Sequence, residues 1–276
     1  MATPPWTPEP NQFTAPTPQR RGTRVWVIVV VVSAIVALLL CLVGAAVVLL
    51  LRVGDAVDEA AGPQAPRAPL GQSAPAAPAG TALCKWQPSS VPGYDREVGT
   101  PSTTVPARGS QTMTIKTNRG VITIAIDTAK APCTAASMSY LASHGFFAGS
   151  SCHRLTTRGI SVLQCGDPTG TGMGGPTYKY ADENLPNVTD PTKAYPVGTV
   201  AMADTGMPES TGSQFFIVWG PSELAQDYTV LGRVTAGMDL VTAVGRAGAV
   251  RDGKAAEDGT PKLPVLINTI TITDPA

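Results

Sequence analysis

From Val25 to Leu51 the chain is dominated by Val, Leu, Ile and Ala and carries no charged side chain. A helix needs about 20 apolar residues to cross a bilayer core, and this run supplies about 27. In lipid every backbone N–H and C=O must be bonded within the segment, so residues 25–51 are expected to form one transmembrane helix. A cleaved signal peptide has a shorter apolar core and a small-residue cleavage site. Cys41 lies between Leu40 and Leu42, which argues against a lipid-modified cysteine.

Arg20, Arg21 and Arg24 crowd the N-terminal flank, whereas Arg52 is followed by Asp55, Asp58 and Glu59. The positive-inside rule then expects a single-pass protein of the cell membrane, with its N-terminus cytoplasmic and its C-terminal part extracytoplasmic. Residues 1–24, rich in Pro, Thr and Gln, are expected to be a disordered cytoplasmic tail. Residues 52–111, dominated by Ala, Pro, Gly and Ser, are expected to be an extracytoplasmic linker. Within it, Cys84-Lys85-Trp86 breaks the composition and suggests docking onto whatever follows. With 20 basic and 20 acidic side chains and no basic run interleaved with aromatics, nucleic acid is not expected as a partner.

Residues 112–276 have a different texture. MTIKTNRGVITIAID alternates apolar and polar residues about Asn118-Arg119-Gly120, the pattern of a β-hairpin. Pro132 opens a segment with Ala136, Met138, Leu141 and Ala142 near helical spacing, and Gly145 supplies a stop. Short strand-like runs follow (SVLQC, GTVAMA, SQFFIVW, YTVLGRV), then a second helix from about Met238 to Val244 and a last strand in VLINTITIT. Many short strands with two helices suggest a mainly β fold, closed into a barrel and capped by the helices.

Two motifs are misleading. Gly170, Gly172 and Gly175 satisfy G-x-G-x-x-G, but Pro176 follows where a helix should open and no Lys-Ser/Thr closes a P-loop. His144 and His153 are the only histidines, and neither lies near a nucleophile motif such as G-x-S-x-G. Cys84, Cys133, Cys152 and Cys165 allow three disulfide pairings in an oxidising compartment. A zinc site completed by His153 is the alternative, but no C-x-x-C spacing occurs, so neither metal nor cofactor is expected.

An ordered series of segments remains. Cys152-His153-Arg154-Leu155 precedes Val162-Leu163-Gln164-Cys165-Gly166-Asp167, the GTGMGG loop and Asp182-Glu183-Asn184. Ala201-Met202-Ala203-Asp204, Gly212-Ser213-Gln214-Phe215-Phe216-Ile217 and Tyr228-Thr229-Val230-Leu231-Gly232 come after. From Met113 onward this order resembles the cyclophilin-type peptidyl-prolyl cis-trans isomerases (rotamases), with their F-H-R, Q-G-G-D, G-T-G-G, D-E-N, M-A-N, G-S-Q-F-F and V-F-G motifs. The resemblance, to a bacterial membrane-anchored form, implies a closed eight-stranded antiparallel β-barrel capped by two α-helices, here preceded by the single transmembrane helix. It also implies a monomeric domain that acts on X-Pro-containing polypeptides.

Isomerisation breaks no bond. Amide resonance opposes rotation by about 18–20 kcal/mol, and only X-Pro bonds populate cis enough for catalysis to matter. A fixed donor aimed at the prolyl nitrogen favours the twisted amide, in which that nitrogen regains its lone pair, over both planar states. The resemblance gives that role to Arg154, whose guanidinium is planar and permanently charged. It gives Gln164 the substrate carbonyl, and the backbone at Ala203 and Asp204 the substrate strand. Val162, Phe216, Leu224 and Tyr228 would wall the proline pocket, with Gln214 bracing the backbone or Arg154 from behind. The same fold implies the pairs Cys152–Cys165, within one hairpin, and Cys84–Cys133, stapling the linker to the first helix.

The sequence departs from the family in the loop TTRGIS, which is about two residues long for the pattern. Ser161 stands where a pocket Phe is usual, Glu223 where an aromatic is usual, and Tyr228 where His is usual. Losing apolar contact weakens the grip on proline, since each such side chain contributes roughly 1.5–3 kcal/mol when buried. The competing expectation is therefore a tethered proline-peptide-binding or chaperone module with weak or no turnover.

Overall fold

The computed structural model describes residues 77–275, all within a single compact unit. The tail at 1–24, the transmembrane helix expected at 25–51 and the linker up to residue 76 lie outside the described residues. Among the described residues no helix is long and apolar enough to cross a membrane.

Residues 77–111 differ from the expected linker. They form β1 (Thr81–Leu83), β2 (Gln87–Pro88), β3 (Asp95–Arg96) and β4 (Thr104–Pro106), with β1 and β4 paired to each other. Composition misleads here because a few anchors hold a chain otherwise poor in apolar residues. Cys84 is bonded to Cys133, and Trp86 packs edge-on against Tyr178 and Tyr180, with ring centroids 5.4 Å from each.

The hairpin follows as the alternation requires. β5 (Gln111–Thr117) and β6 (Gly120–Ile126) pair in register from Gln111↔Ile126 to Thr117↔Gly120. Met113, Ile115, Ile122 and Ile124 enter the core while Thr112 and Lys116 face solvent. Helix α1 (Pro132–Ser143) has proline in its first turn, where no N–H is missed. Its free N-terminal amides at Cys133 and Thr134 donate to the Glu183 carboxylate at 3.1 and 2.9 Å. Gly145, with φ of +65°, ends it.

Next come β7 (Arg154–Thr156), β8 (Val162–Cys165), β9 (Gly175–Pro176) and β10 (Tyr178–Lys179). β2 pairs with β10 and β3 with β9, so the N-terminal extension adds strands to this loop region. β11 (Thr199–Met202), β12 (Phe215–Val218) and β13 (Val230–Ala236) lead to helix α2 (Met238–Ala247). β14 (Ala249–Arg251), β15 (Lys254–Ala256), β16 (Asp258–Pro261) and β17 (Ile267–Ile272) complete the chain. The result is mainly β with two α-helices.

The large sheet runs β15-β14-β16-β7-β8-β12-β11-β13-β6-β5-β17, every pair antiparallel. Edge strand β17 and the chain entering β7 are joined by backbone bonds from Cys152 N–H to Val265 O (2.9 Å) and from Ile267 N–H to Ser150 O (2.8 Å). Because side chains alternate along each strand, β8 and β12 divide theirs between two clusters, while β7 sends Leu155 to the main core. Leu155, Leu163, Cys165, Phe215 and Ile217 belong to the main core. Val162, Phe216 and Val218 belong to a smaller cluster with Tyr195, Ala201 and Leu224. That second cluster builds the site.

Candidate active site

Arg154 and Gln164 are opposite each other in the β7–β8 ladder. The guanidinium NH1 group donates to Gln164 Oε1 at 3.3 Å, and Gln164 Nε2 donates to Gln214 Oε1 at 2.9 Å. Gln214 Nε2 in turn donates to the carbonyls of Gly172 and Gly174 at 2.9 and 3.0 Å. Gln214 therefore braces the backbone and reaches Arg154 only through Gln164.

Sequence reasoning missed the partner that holds the guanidinium most firmly. Asp258 on β16 receives Nε–H and NH2 of Arg154 at 2.9 and 3.0 Å, a two-point fork. This pairing raises the Arg154 pKa, with burial opposing it, so the group stays charged. The same bond from Arg154 holds the Asp258 carboxyl below its usual range. Of the five N–H donors of a guanidinium, three are used in these bonds, and two carry no partner among the described residues.

Arg154 and Gln164 form one wall of a pocket of about 120 Å³, and Val162, Ala203, Asp204, Phe216, Leu224 and Tyr228 line the rest together with Ile160. Every residue expected at the proline site is thus brought together here except Gln214, which lines a second cavity of about 340 Å³ that shares Gln164, Ala203 and Asp204. Phe216 and Tyr228 meet edge to face, 5.4 Å between centroids at 89°. Tyr195, also missed by the sequence reading, packs on both at 6.3 and 6.2 Å. Its hydroxyl donates to the Tyr228 carbonyl and accepts from the Tyr228 amide.

The departures have clear outcomes. The amide of Ser161 is bound by the Ser222 hydroxyl at 2.8 Å, Glu223 is exposed, and neither lines the pocket. The long loop instead delivers Ile160 beside Val162 and recovers part of the missing apolar surface.

Electrostatics differ around the rim. Burial, with Asp182 and Asp227 nearby, raises the Asp204 carboxyl, although the Gly206 amide opposes this. Burial lowers the His153 imidazole against the pull of Asp167, and Arg154 lowers it further, so the residue beside Arg154 is neutral at neutral pH. The glycine-rich loop contains its own anion. Asp167 accepts the amide of Thr169 at 2.7 Å and that of Gly172, together with the Thr169 and Thr171 hydroxyls. Those donors are turned inward, which accounts for the loop without a phosphate. Among the described residues no cluster of His, Cys, Asp and Glu could hold a metal ion.

Cys152 is bonded to Cys165 and Cys84 to Cys133, the two pairs the resemblance implied.

Residues 112–272 match the family model described as cyclophilin type peptidyl-prolyl cis-trans isomerase/CLD. The probable peptidyl-prolyl cis-trans isomerase B of Mycobacterium tuberculosis is 41% identical over 179 residues, 61% of this chain and 56% of that relative. The chain thus spans little more than half the length of that relative. Peptidyl-prolyl cis-trans isomerase A of the same organism is 38% identical over 180 residues, 59% of this chain and 92% of that protein. A cyclophilin type isomerase of Cryptosporidium parvum, a solved structure, is 25% identical with a TM-score of 0.49, covering 60% of this chain and 99% of its own. With more than half its length matched by the family model, this chain belongs to the cyclophilin-type peptidyl-prolyl cis-trans isomerases.

Proposed function

We propose that the chain is a membrane-tethered peptidyl-prolyl cis-trans isomerase that assists the folding of extracytoplasmic proteins. One observation carries this reading: a guanidinium held on the wall of a small pocket that combines polar groups with Val162, Phe216 and Leu224, with two N–H donors uncommitted. Val162, Phe216 and Leu224, exposed by no more than 9%, grip the proline ring. Arg154 donates to the prolyl nitrogen as the amide twists, and Gln164 Nε2 retains one N–H for the substrate carbonyl. Ala203 and Asp204 offer their backbone to the substrate strand. Because the donors are fixed before the substrate arrives, they stabilise the half-rotated amide without reorganising.

In this reading β17, β5, β6, β13, β11, β12, β8 and β7 make a closed eight-stranded barrel, supported by the backbone bonds between the chain entering β7 and that entering β17. Residues 25–51 anchor it, the arginine-rich flank keeps residues 1–24 in the cytoplasm, and the domain acts as a monomer on X-Pro polypeptides outside. The two disulfides suit an oxidising extracytoplasmic compartment.

The exposed Glu223 and the polar Ser161 favour a second reading, a proline-peptide-binding or chaperone module without turnover. Exchange spectroscopy on an X-Pro peptide with the full-length chain separates the two. Catalysed cis/trans exchange at substoichiometric protein supports the isomerase. Saturable peptide binding with exchange at the uncatalysed rate supports the module and rejects the isomerase.

A further inference from the structure

Arg154 and Asp258 are 104 positions apart in sequence, yet their side chains form the two-point fork of Nε to Oδ1 and NH2 to Oδ2 at 2.9 and 3.0 Å. The two strands that carry them are hydrogen-bonded neighbours, Asp258 facing Thr156 and Gly259 facing Leu155. Both side chains are about two-fifths exposed, at 41% and 40%. An ion pair that exposed contributes little to stability, so its consequence lies in geometry. An unrestrained arginine samples many rotamers. Fixed at Nε and NH2 by one carboxylate and at NH1 by Gln164, it is confined to one plane and one direction. Arg251 adds a second cation to the same carboxylate, its NH2 3.7 Å from Oδ1.

We propose that Asp258 is a positioning residue: its carboxylate clamps the Arg154 guanidinium so that the two remaining N–H donors face the proline pocket. This rests on the isomerase reading. Asp258 itself does not line that pocket and acts only through Arg154.

Misaligning a catalytic group by about 1 Å can cost up to about a hundredfold in rate. For the full-length Asp258→Ala chain we expect kcat to fall about tenfold with KM within about twofold of the parent, because the proline grip is untouched. Asp258→Asn, which keeps one acceptor for the fork, should lose less. In an Arg154→Ala background Asp258→Ala should cost nothing further, since its only route to the reaction is gone. A kcat for Asp258→Ala within twofold of the parent, or the same loss with and without Arg154, overturns the proposal.

A readout independent of turnover separates this from the isomerase reading. The Arg154 Nε–H resonance should exchange slowly with water in the parent and rapidly in Asp258→Ala. If the parent shows no Arg154-dependent turnover, the isomerase reading fails. Clamping is then judged by this resonance alone, and equal exchange in parent and variant rejects it.

Discussion

Cys152 and Cys165 are joined within the main core, Cys165 on β8 next to Gln164 and Cys152 two residues before β7 opens at Arg154. The bond therefore fixes from within the core the strand pair that presents the polar groups. It closes a loop with a sequence separation of 13, against 49 for Cys84–Cys133.

In the chain-entropy picture these loops correspond to about 3 and about 4 kcal/mol of stability. Replacing Cys84 and Cys133 by alanine should therefore lower the unfolding free energy more, while replacing Cys152 and Cys165 should lower kcat more. Denaturant unfolding and isomerisation kinetics on the two double variants check this. Equal kcat losses would contradict it.

Much of this architecture could be read directly from residue order. Alternation revealed β5 and β6, and the ordered motifs brought Arg154, Gln164, Phe216, Leu224 and Tyr228 to one pocket. Residues 77–111 were legible only at Cys84 and Trp86, which marked a docking point; their strands were not, because Ala, Pro, Gly, Ser and Thr predominate there and the order comes from the Cys84 bond and from Trp86 against Tyr178 and Tyr180. Strands β14, β15 and β16 bury few of their residues and give little periodic signal. Asp258 escaped for that reason, and because nothing local marks a carboxylate that pairs across 104 positions. Ile160 was hidden in a loop whose extra length obscured its alignment.

Ile160 provides the most direct test of how the pocket offsets its missing aromatics. Ile160→Ala removes about 1 kcal/mol of apolar contact from a partly buried side chain. KM for an X-Pro peptide should rise about fivefold with kcat nearly unchanged. Phe216, exposed by only 4%, is better tested as Phe216→Leu, since truncation to alanine there costs about 3–5 kcal/mol of stability.

Two carboxylates should respond to pH in opposite senses. Asp258 has a depressed folded pKa, so its pairing with Arg154 is intact above the unfolded value and is lost as pH falls through the lower folded value. Arg154-dependent kcat should stay flat through neutrality and decline only in strong acid. Asp204 has a raised folded pKa, so its charge opposes folding once pH rises past the unfolded value. Asp204→Asn should stabilise the domain at pH 7 by no more than about 0.5 kcal/mol, and this gain should vanish in acid. Thermal unfolding across pH reads the sign for Asp204, and kcat across pH reads that for Asp258.

The central claim is that the Arg154 guanidinium stabilises the twisted prolyl amide. Its most direct test is kcat/KM for an X-Pro peptide with the full-length chain and its Arg154→Ala variant, with folding verified by circular dichroism. The account predicts a loss of at least about tenfold in a folded variant. Equal rates in the two folded proteins would contradict it.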